Sequence, residues 1–323
     1  MGDVMARNNL GSTLVIANPA SHSGKGAVWA EVVRRFLETY DGATTSFELK
    51  MTEATGDAER FAAGAAGYDT LMILGGDGVI HEVVSGLMAI EASLRPRLAV
   101  VPLGSGNDFA RTLGLTANDP EKALAELLSG AERTFDLGHV TSDERPEGTY
   151  FTESLSFGLD AAIAIDTTKR RARGTRQEGS GLFLTSSIKL ALHAGSGHPC
   201  VAHIDGEAPV SLNSLIFAVL NGPTYGGGFR ICPAADPTDG ALDVCFNVGH
   251  PNLLRLLFLL GLARFGRHTR SRIVRLRTMR SVQIAFSDDV PCQVDGEELP
   301  GRSFSIEAVP AALRVLVSRS CRY

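Results

Sequence analysis

Two features that would define a class of protein are missing from this sequence: paired cysteines and a long apolar segment. Its five cysteines form no Cys-x-x-Cys pair and are odd in number. They are Cys200, Cys232, Cys245, Cys292 and Cys321. This pattern argues against a zinc site and a disulfide framework, and is typical of a reducing compartment. The most apolar segment, "PNLLRLLFLLGLARFGRH", is interrupted by Arg255 and Arg264 and is too short to span a bilayer.

Targeting signals and a strong overall charge are missing as well. The opening "MGDVMARNNLGSTLVIANP" has no long apolar region and includes Asp3, so we expect no secretory signal peptide. Ala6 stands where N-myristoylation requires Ser or Thr. The formal net charge of −5 gives no overall attraction to nucleic acid, so any anion must be bound by a local cluster. We therefore expect a cytoplasmic protein.

The pattern of strands and helices changes about 135 residues into the chain. A chain of 323 residues is long for one hydrophobic core, so two domains are expected. Up to Phe135, apolar strand patterns alternate with amphipathic helix patterns, which indicates a parallel sheet covered on both faces. After that, short strand-like segments follow one another with few helices, which indicates a mostly antiparallel β domain. We predict domains at 10–135 and 136–323, with the option that the final strand returns to the first domain.

Three polar loops follow apolar strands of the first domain: "NPASHSGKG", "GGDG" and "PLGSGNDFAR". In an open parallel sheet, such loops lie at the carboxyl edge, where ligands bind. Their glycine N–H groups and the following helix N-termini suit phosphate. None of the loops completes a Walker or G-x-G-x-x-G pattern, which argues against a P-loop NTPase or an ordinary Rossmann dehydrogenase. One such loop could be a plain turn, but three together predict a phosphate site.

Within the second loop, the residue types suggest specific roles. The backbone of Gly75, Gly76 and Gly78 can approach a phosphate because no side chain intervenes. Asp77 would contact Mg²⁺ through water or accept a hydroxyl proton, and the alternative is a helix cap or an Asx-turn.

Other polar residues near these loops also have two interpretations. Asn107 and Asp108 precede the apolar "FARTLGL" and suit either ligand binding or capping. Lys25 suits a phosphate or a solvated surface position. Glu82 faces away from the apolar stripe of its helix, and so points to the ligand or to water.

The three loops, extended as "NPASHSGKG", "GGDGVIHEVVSGL" and "PLGSGNDFARTLGL", resemble the catalytic-domain motifs of the diacylglycerol kinase family in its bacterial lipid-kinase branch. Three later segments, "FTESLSFGLDA", "NGPTYGGGFRICPAADPTDGALDV" and "CQVDGEEL", resemble other parts of that family in the same order. The resemblance implies a phosphofructokinase/NAD-kinase-like parallel α/β domain and a mostly antiparallel β-sandwich domain. It also implies ATP-dependent phosphorylation of a lipid hydroxyl in the cleft between them.

The resemblance departs from the family pattern in two ways. Val79 stands where the family usually has Thr, which removes a hydroxyl from the loop but leaves its backbone donors. "GDGVIHEVVSGL" with "GSGN" is also similar to sphingosine kinases, whereas "NDFAR" favours diacylglycerol kinases. We expect diacylglycerol as the acceptor. The alternatives are a sphingoid-base or other lipid kinase, an NAD kinase, which shares Gly-Gly-Asp-Gly, and a non-catalytic lipid-binding protein.

The resemblance also assigns roles to individual residues. Glu297, in "VDGEEL", stands where the family places its general base, although Asp295-Gly296 by itself predicts only a hairpin turn. Asp239, with the carbonyls of Asp236 and Ala241, would bind a structural Mg²⁺, and the alternative is a turn without metal. The residues that would contact ATP are Asn18, Pro19, Ala20, Ser21, His22, Thr52, Gly75, Gly76, Gly78, Val79, Glu82, Gly104, Ser105, Asn107 and Asp108.

Two basic clusters remain, "KRRARGTR" (Lys169–Arg176) and the stretch Arg264–Arg280, which holds seven arginines and no acid. The second cluster follows the apolar segment, and this combination is typical of peripheral membrane binding. The alternative is a solvated surface. No aromatic residues interleave with these arginines in the way that nucleic-acid binding favours. We expect association with the inner face of a membrane and no nucleic acid, and leave a homodimer open.

Overall fold

The structure, a computed structural model, describes residues 9–172, 185–190 and 197–323. The first eight residues, to which part of the signal-peptide and myristoylation predictions refers, lie outside the described residues. So does the second half of the cluster "KRRARGTR". The chain divides into two compact units: one holds the chain up to Phe135 and again from Ala311 onward, and the other holds Asp136–Pro310.

The first unit alternates strands and helices, as predicted. Its strands are β1 (Ser12–Ala17), β2 (Ser46–Met51), β3 (Thr70–Gly75) and β4 (Arg97–Pro102). Its helices are α1 (Ser21–Gly24), α2 (Gly26–Thr39), α3 (Asp57–Ala63), α4 (Asp77–Met88), α5 (Asp108–Thr112) and α6 (Pro120–Ser129), with a 3₁₀ turn at Ala92–Leu94. The strands pair in parallel in the order β2-β1-β3-β4. Their carboxyl ends therefore share one edge.

The burial pattern explains this arrangement. All six residues of β3, "TLMILG", are buried, as expected for a parallel strand with helices on both faces. Helix α4 buries Ile80, Val83, Val84 and Leu87, whose spacing of three and four residues places them on one face. The loops at the carboxyl edge are thus anchored on a rigid core.

A buried arginine ties the returning end of the chain to the first unit. The strand β16 (Ser303–Val317) ends in this unit and pairs in parallel with β4 through Val315 and Leu98. Arg95 donates to the carbonyls of Leu87 at 2.9 Å, Ile90 at 2.9 Å and Ala312 at 2.6 Å. Its guanidinium therefore holds the loop before β4 and the returning strand together.

The second unit is mainly strands. They are β5 (Ala131–Ser142), which enters from the first unit, then β6 (Thr149–Phe151), β7 (Ser154–Gly158), β8 (His198–Ile204), β9 (Val210–Ser214), β10 (Ile216–Leu220), β11 (Leu242–Asn247), β12 (Val274–Met279), β13 (Ser281–Phe286), β14 (Cys292–Val294), β15 (Glu297–Glu298) and most of β16. Its helices are α7 (Leu159–Ala172) and Leu253–Ala263, which we call the apolar helix, and a 3₁₀ turn covers Arg267–Arg270. Residues 185–190 are also helical.

Two antiparallel sheets form a sandwich in this unit. One contains β9, β8, β13 and β16, and the other runs in the order β12-β11-β10-β7-β14-β15. Aromatic rings fill the core between them, with Phe157 and Phe304 packed edge to face at a centroid distance of 4.7 Å. The predicted fold class, a parallel α/β domain followed by an antiparallel β-sandwich, is confirmed.

The outer face of the second sheet carries a further apolar layer. Side chains alternate along its strands, so that Ala218, Leu220 and Cys245 face away from the sandwich core. They pack with residues of α7 and of the apolar helix. The sequence analysis did not predict α7, which begins directly after the last residue of β7, Gly158, whose φ is 89°. In the part of the chain that the structure describes, no helix is both long and apolar enough to cross a membrane.

Candidate functional site

The loops after β3 and β4 pack backbone against backbone. A Cβ atom built on Gly76 would lie 2.9 Å from the Cα of Gly104, and one built on Gly104 would lie 2.6 Å from the Cα of Gly76. Packed protein interiors do not accommodate such short contacts without displacement. Only glycine therefore fits at both positions, and the two predicted phosphate loops are brought into direct contact.

Asp77 joins the same two loops through its side chain. It is the first residue of α4, and its Oδ1 accepts a hydrogen bond from the backbone N–H of Asp108 at 3.1 Å. Its other oxygen, Oδ2, would lie 2.5 Å from a Cβ built on Gly106. The carboxylate thus reaches across to the loop after β4 and lies against glycine backbone.

Asn107 shapes the loop after β4. Its backbone is left-handed, with φ of 52°, and it precedes α5. Its Oδ1 accepts from the N–H of Gly104 at 2.8 Å, while its Nδ2 donates to the carbonyl of the same residue at 2.6 Å. Asn107 therefore has a structural role, because its side-chain amide closes the loop onto the backbone three residues earlier.

The buried carboxylate of Asp108 has a charged partner that the sequence analysis missed. Arg111 Nη1 donates to Asp108 Oδ1 at 2.5 Å, and Nη2 donates to the carbonyl of Gly106 at 3.1 Å. Asp and Arg three residues apart on a helix face each other, so the spacing in "NDFAR" was a signal that could have identified this pair.

The loop after β1 is a compact turn built on Asn18. Its N–H donates to the carbonyl of Leu74 in β3 at 3.0 Å. Its Oδ1 and its carbonyl accept from the N–H groups of Ala20 at 2.9 Å and Ser21 at 3.1 Å, and this turn encloses Pro19. A Cβ built on Gly26 would lie 2.1 Å from the Asn18 carbonyl oxygen, so the turn needs that glycine as well.

The remaining predicted residues of the first unit lie around these loops. Thr52 is buried at the end of β2, with its N–H on the carbonyl of Ala17 at 2.9 Å. Val79 fills the space beside Gly75, where a Cβ would lie 2.8 Å from the valine side chain. Glu82 Oε2 accepts from the N–H of Gly56 at 3.1 Å, which places its carboxylate at the loop before α3.

Three further predicted residues have simpler environments. Gly78 is exposed in the first turn of α4, and Ser105 is exposed at the tip of its loop. His22 has a positive φ of 49°, and its ring stacks on Trp29 at 4.8 Å. The first unit thus gathers its predicted residues at the carboxyl edge of one sheet, where N–H groups and the N-terminus of α4 suit a polyphosphate.

In the second unit, Asp295 fixes the hairpin that carries Glu297. Asp295 and Gly296 form a two-residue turn with φ of 47° and 98°, and Val294 pairs with Glu297. The Asp295 carboxylate accepts four hydrogen bonds from the chain at the start of β7: Thr152 N at 2.7 Å, Thr152 Oγ1 at 3.0 Å, Glu153 N at 3.1 Å and Ser154 N at 2.9 Å. The predicted hairpin is present, and Asp295 makes it rigid.

The two glutamates after this turn differ in their contacts. Both are exposed, but Glu298 forms an ion pair with Lys169 Nζ at 3.1 Å. Among the described residues, Glu297 has no ion-pair partner. Its carboxylate is therefore the one of the two that can serve a ligand without breaking a salt bridge.

The predicted metal loop forms two local turns. Asp236 Oδ1 accepts from the N–H of Thr238 at 3.0 Å, and Asp239 Oδ1 accepts from the N–H of Ala241 at 3.0 Å. The pKa of the neighbouring Asp243 is raised, first by burial and then by the negative charges of Asp239 and Asp236. Within the described ranges, no group of three or more His, Cys, Asp or Glu side chains is arranged to hold a metal ion.

An apolar cavity of about 80 Å³ lies on the outer face of the second sheet. It is roughly five to eight times the 10–15 Å³ that one water molecule needs in the same measure. Its lining is Asp160, Ile163, Leu215, Ile216, Tyr225, Phe229, Ile231, Cys245, Phe246, Asn247, Pro251, Leu256, Leu259, Leu260, Ala263, His268, Ile273 and Val274. The sequence analysis did not identify this cavity, because its walls come from segments far apart in the chain.

One polar pair stands in the wall of this cavity. Tyr225 OH donates to Asp160 Oδ2 at 2.6 Å. Burial raises the pKa of Asp160 from its ordinary value of 3.8 to about 6. Because the folded-state pKa is the higher one, ionisation of this carboxyl opposes folding increasingly as the pH rises through that interval.

Comparisons with known proteins agree with this architecture. Residues 12–140 match the diacylglycerol kinase catalytic domain, and residues 153–317 match the YegS C-terminal NAD kinase beta sandwich-like domain. A Pseudomonas aeruginosa protein named "Probable lipid kinase YegS-like" is 32% identical over 88% of this chain and 89% of its own length. A namesake from Yersinia enterocolitica is 27% identical over 90% and 93%.

Two solved structures share the fold. A diacylglycerol kinase from Bacillus anthracis is 19% identical, with a TM-score of 0.72 over 97% of this chain and 98% of that one. An NAD kinase from Archaeoglobus fulgidus in complex with ATP is 13% identical, with a TM-score of 0.52 over 96% and 95%.

Gly104→Ala tests the contact between the loops. The added methyl group must displace the backbone of Gly76, so we expect a loss of about 1–3 kcal/mol in the free energy of unfolding. We also expect at least about a tenfold loss in ATP affinity, measured by calorimetry, since the N–H donors move by tenths of an ångström or more. Gly261→Ala is the control because, apart from its chain neighbours and the backbone of its own helix, nothing lies within 4 Å of its Cβ position. If the two changes have equal effects on stability and ATP affinity, the contact between Gly76 and Gly104 does not position the N–H donors.

Proposed function

The chain belongs to the family of YegS-like lipid kinases with a diacylglycerol kinase catalytic domain, and from this premise we propose that it transfers the γ-phosphoryl group of ATP to the free hydroxyl of diacylglycerol. The products are phosphatidic acid and ADP. The kinase class follows from the family. The choice of acceptor requires an observation on this chain.

The observation that favours a lipid acceptor is the apolar cavity of the second unit, and among lipids the resemblance carried by "NDFAR" favours diacylglycerol. Most of its lining side chains are aliphatic or aromatic, which suits a segment of acyl chain. NAD is charged and polar over most of its surface, so its burial there would leave polar groups without partners. The cavity therefore favours a lipid acceptor over the NAD of the A. fulgidus neighbour.

We assign the ATP phosphates to the carboxyl edge of the first unit. The contact between Gly76 and Gly104 leaves N–H groups of two loops and of the first turn of α4 available to phosphate oxygens. The positioned donors would orient the γ-phosphoryl group, which is most of what phosphoryl transfer requires of a protein. Asp77, whose carboxylate joins the two loops, would contact the Mg²⁺ that accompanies ATP through water, or accept the hydroxyl proton.

Magnesium belongs to the proposal through its usual partnership with ATP, whose negative charge it neutralises when bound. Asp239, with the carbonyls of Asp236 and Ala241, would hold a structural ion. The donors in this loop are all oxygen atoms, as a hard cation prefers.

Glu297 is our candidate for the base. It is a carboxylate on a turn that Asp295 makes rigid with four hydrogen bonds, and Gly296 beside it leaves space for an alcohol. It would accept the proton of the lipid hydroxyl as the oxygen attacks phosphorus. Because Glu298 is held by Lys169, it serves poorly in that role.

Asp77→Asn should preserve the fold and abolish most of the activity. Asparagine keeps an oxygen that can accept from the N–H of Asp108, but it loses the charge. We expect kcat to fall about a hundredfold or more, with little change in the unfolding midpoint. Near-normal turnover would mean that Asp77 only holds the loops together.

Glu297→Gln should leave nucleotide affinity unchanged, because the change is nearly isosteric and concerns only the acceptor. Lipid phosphorylation should drop by about two orders of magnitude or more, measured at saturating ATP. Glu298→Gln is the matched control and should be close to neutral. If Glu298→Gln is the damaging change, or if neither matters, the assignment of the base is wrong.

The acceptor is tested with labelled ATP against diacylglycerol, ceramide, sphingosine, phosphatidylglycerol and NAD. We expect diacylglycerol to be preferred, and Leu260→Trp, which fills the cavity, to lower the rate on long-chain diacylglycerol about tenfold or more. Leu94→Trp, at an exposed position of the first unit, is the control. Preference for another acceptor, or equal effects of the two tryptophans, would refute the assigned substrate.

A further inference from the structure

The apolar helix is apolar on two opposite faces. Its inner face contributes the buried Leu256 and Ala263 to the outer layer of the second sheet. Its outer face exposes Leu254 at 79%, Phe258 at 64% and, just beyond its end, Phe265 at 69%. A helix that is apolar all round is ordinarily buried on every side. The outer face therefore requires a partner.

The exposed side chains form a narrow stripe. At about 100° per residue, positions 254, 258, 261 and 265 fall within an arc of roughly 60°. Gly261 lies in this stripe and adds no side chain between the two phenylalanines. Arg255 and Arg264 lie about 80–100° to either side of its centre. The stripe is thus continuous and bordered by positive charge.

The surrounding sequence is entirely without negative charge. Between Asp243 and Asp288 there are eight arginines and no acidic residue. Arg267, Arg270 and Arg272 are exposed and follow the stripe directly. Arg277, by contrast, pairs with Glu207, so only part of the stretch Arg264–Arg280 is available to an external anion.

We propose that Leu254, Phe258 and Phe265, together with Arg267, Arg270 and Arg272, form a docking face for an anionic lipid bilayer. The apolar stripe enters the boundary between headgroups and acyl chains, and the arginines contact lipid phosphates. An apolar stripe bordered by cations matches the layering of such a surface, whereas a protein partner would have to offer acidic residues around an apolar groove. This inference rests on the proposed function in one respect: a kinase whose acceptor is a lipid must reach that lipid in a membrane.

Docking is measured by co-sedimentation of the full chain with vesicles that contain no acceptor lipid, in the absence of ATP. The vesicles are phosphatidylcholine alone or mixed with phosphatidylglycerol. We expect binding to the mixed vesicles only. Arg267→Gln, Arg270→Gln and Arg272→Gln together should lower the partition coefficient about a hundredfold at low salt and little at high salt.

The apolar part is tested by Leu254→Ser, Phe258→Ser and Phe265→Ser together, which should lower binding at least about tenfold at both salt concentrations. Matched controls are Val28→Ser with Leu94→Ser, exposed apolar residues of the first unit, and Arg133→Gln with Arg319→Gln. Loss of binding in the controls, or no binding by the unaltered protein, would overturn the proposal.

Two readouts separate this inference from its alternatives. Activity on a short-chain, water-soluble diacylglycerol should be unchanged in all these variants, so a failure of docking is distinguishable from a failure of the proposed function. If the serine variant instead changes the oligomeric state on gel filtration and binds vesicles normally, the face is a protein interface and the proposal is wrong.

Discussion

The first unit depends on the close approach of Gly76 and Gly104. Parallel strands place their following loops at one edge, but an edge alone would leave the loops separate. The missing Cβ atoms let the two backbones meet, and the side chains of Asp77 and Asn107 then close the loops with hydrogen bonds. The charged residue in this confined position is Asp77. Its carboxylate fits there because the glycine backbone leaves space for it and the N–H of Asp108 donates to it.

Much of this arrangement follows from sequence periodicity. Apolar strands that alternate with amphipathic helices indicate a parallel sheet, and the loops that follow the strands must then share an edge. The pattern of short strands predicted the antiparallel second half, and the Asp295-Gly296 pair predicted its hairpin turn. The family motifs supplied what periodicity lacks, namely a reaction and the roles of single residues.

What the sequence did not reveal consists of contacts between segments distant along the chain. The cavity walls run from Asp160 to Val274, and the carboxylate of Asp295 binds backbone more than 140 residues earlier at Thr152. No local spacing encodes either feature. Helix α7 was missed although a local signal was present, since Gly158, with φ of 89°, stands directly before its first residue. The ion pair of Arg111 with Asp108 could have been predicted from the local sequence, because residues three apart face each other on a helix.

The return of β16 to the first unit has a consequence for how the protein is made. Arg95 is buried with one of its donors on the carbonyl of Ala312, which emerges from the ribosome more than 200 residues after it. Until then, the guanidinium lacks one partner and β4 lacks its neighbour on that side. The amino-terminal half of the chain therefore cannot reach its final stability during synthesis. A nascent chain would expose the edge of β4, a template for pairing with other chains, for as long as the sandwich takes to be translated.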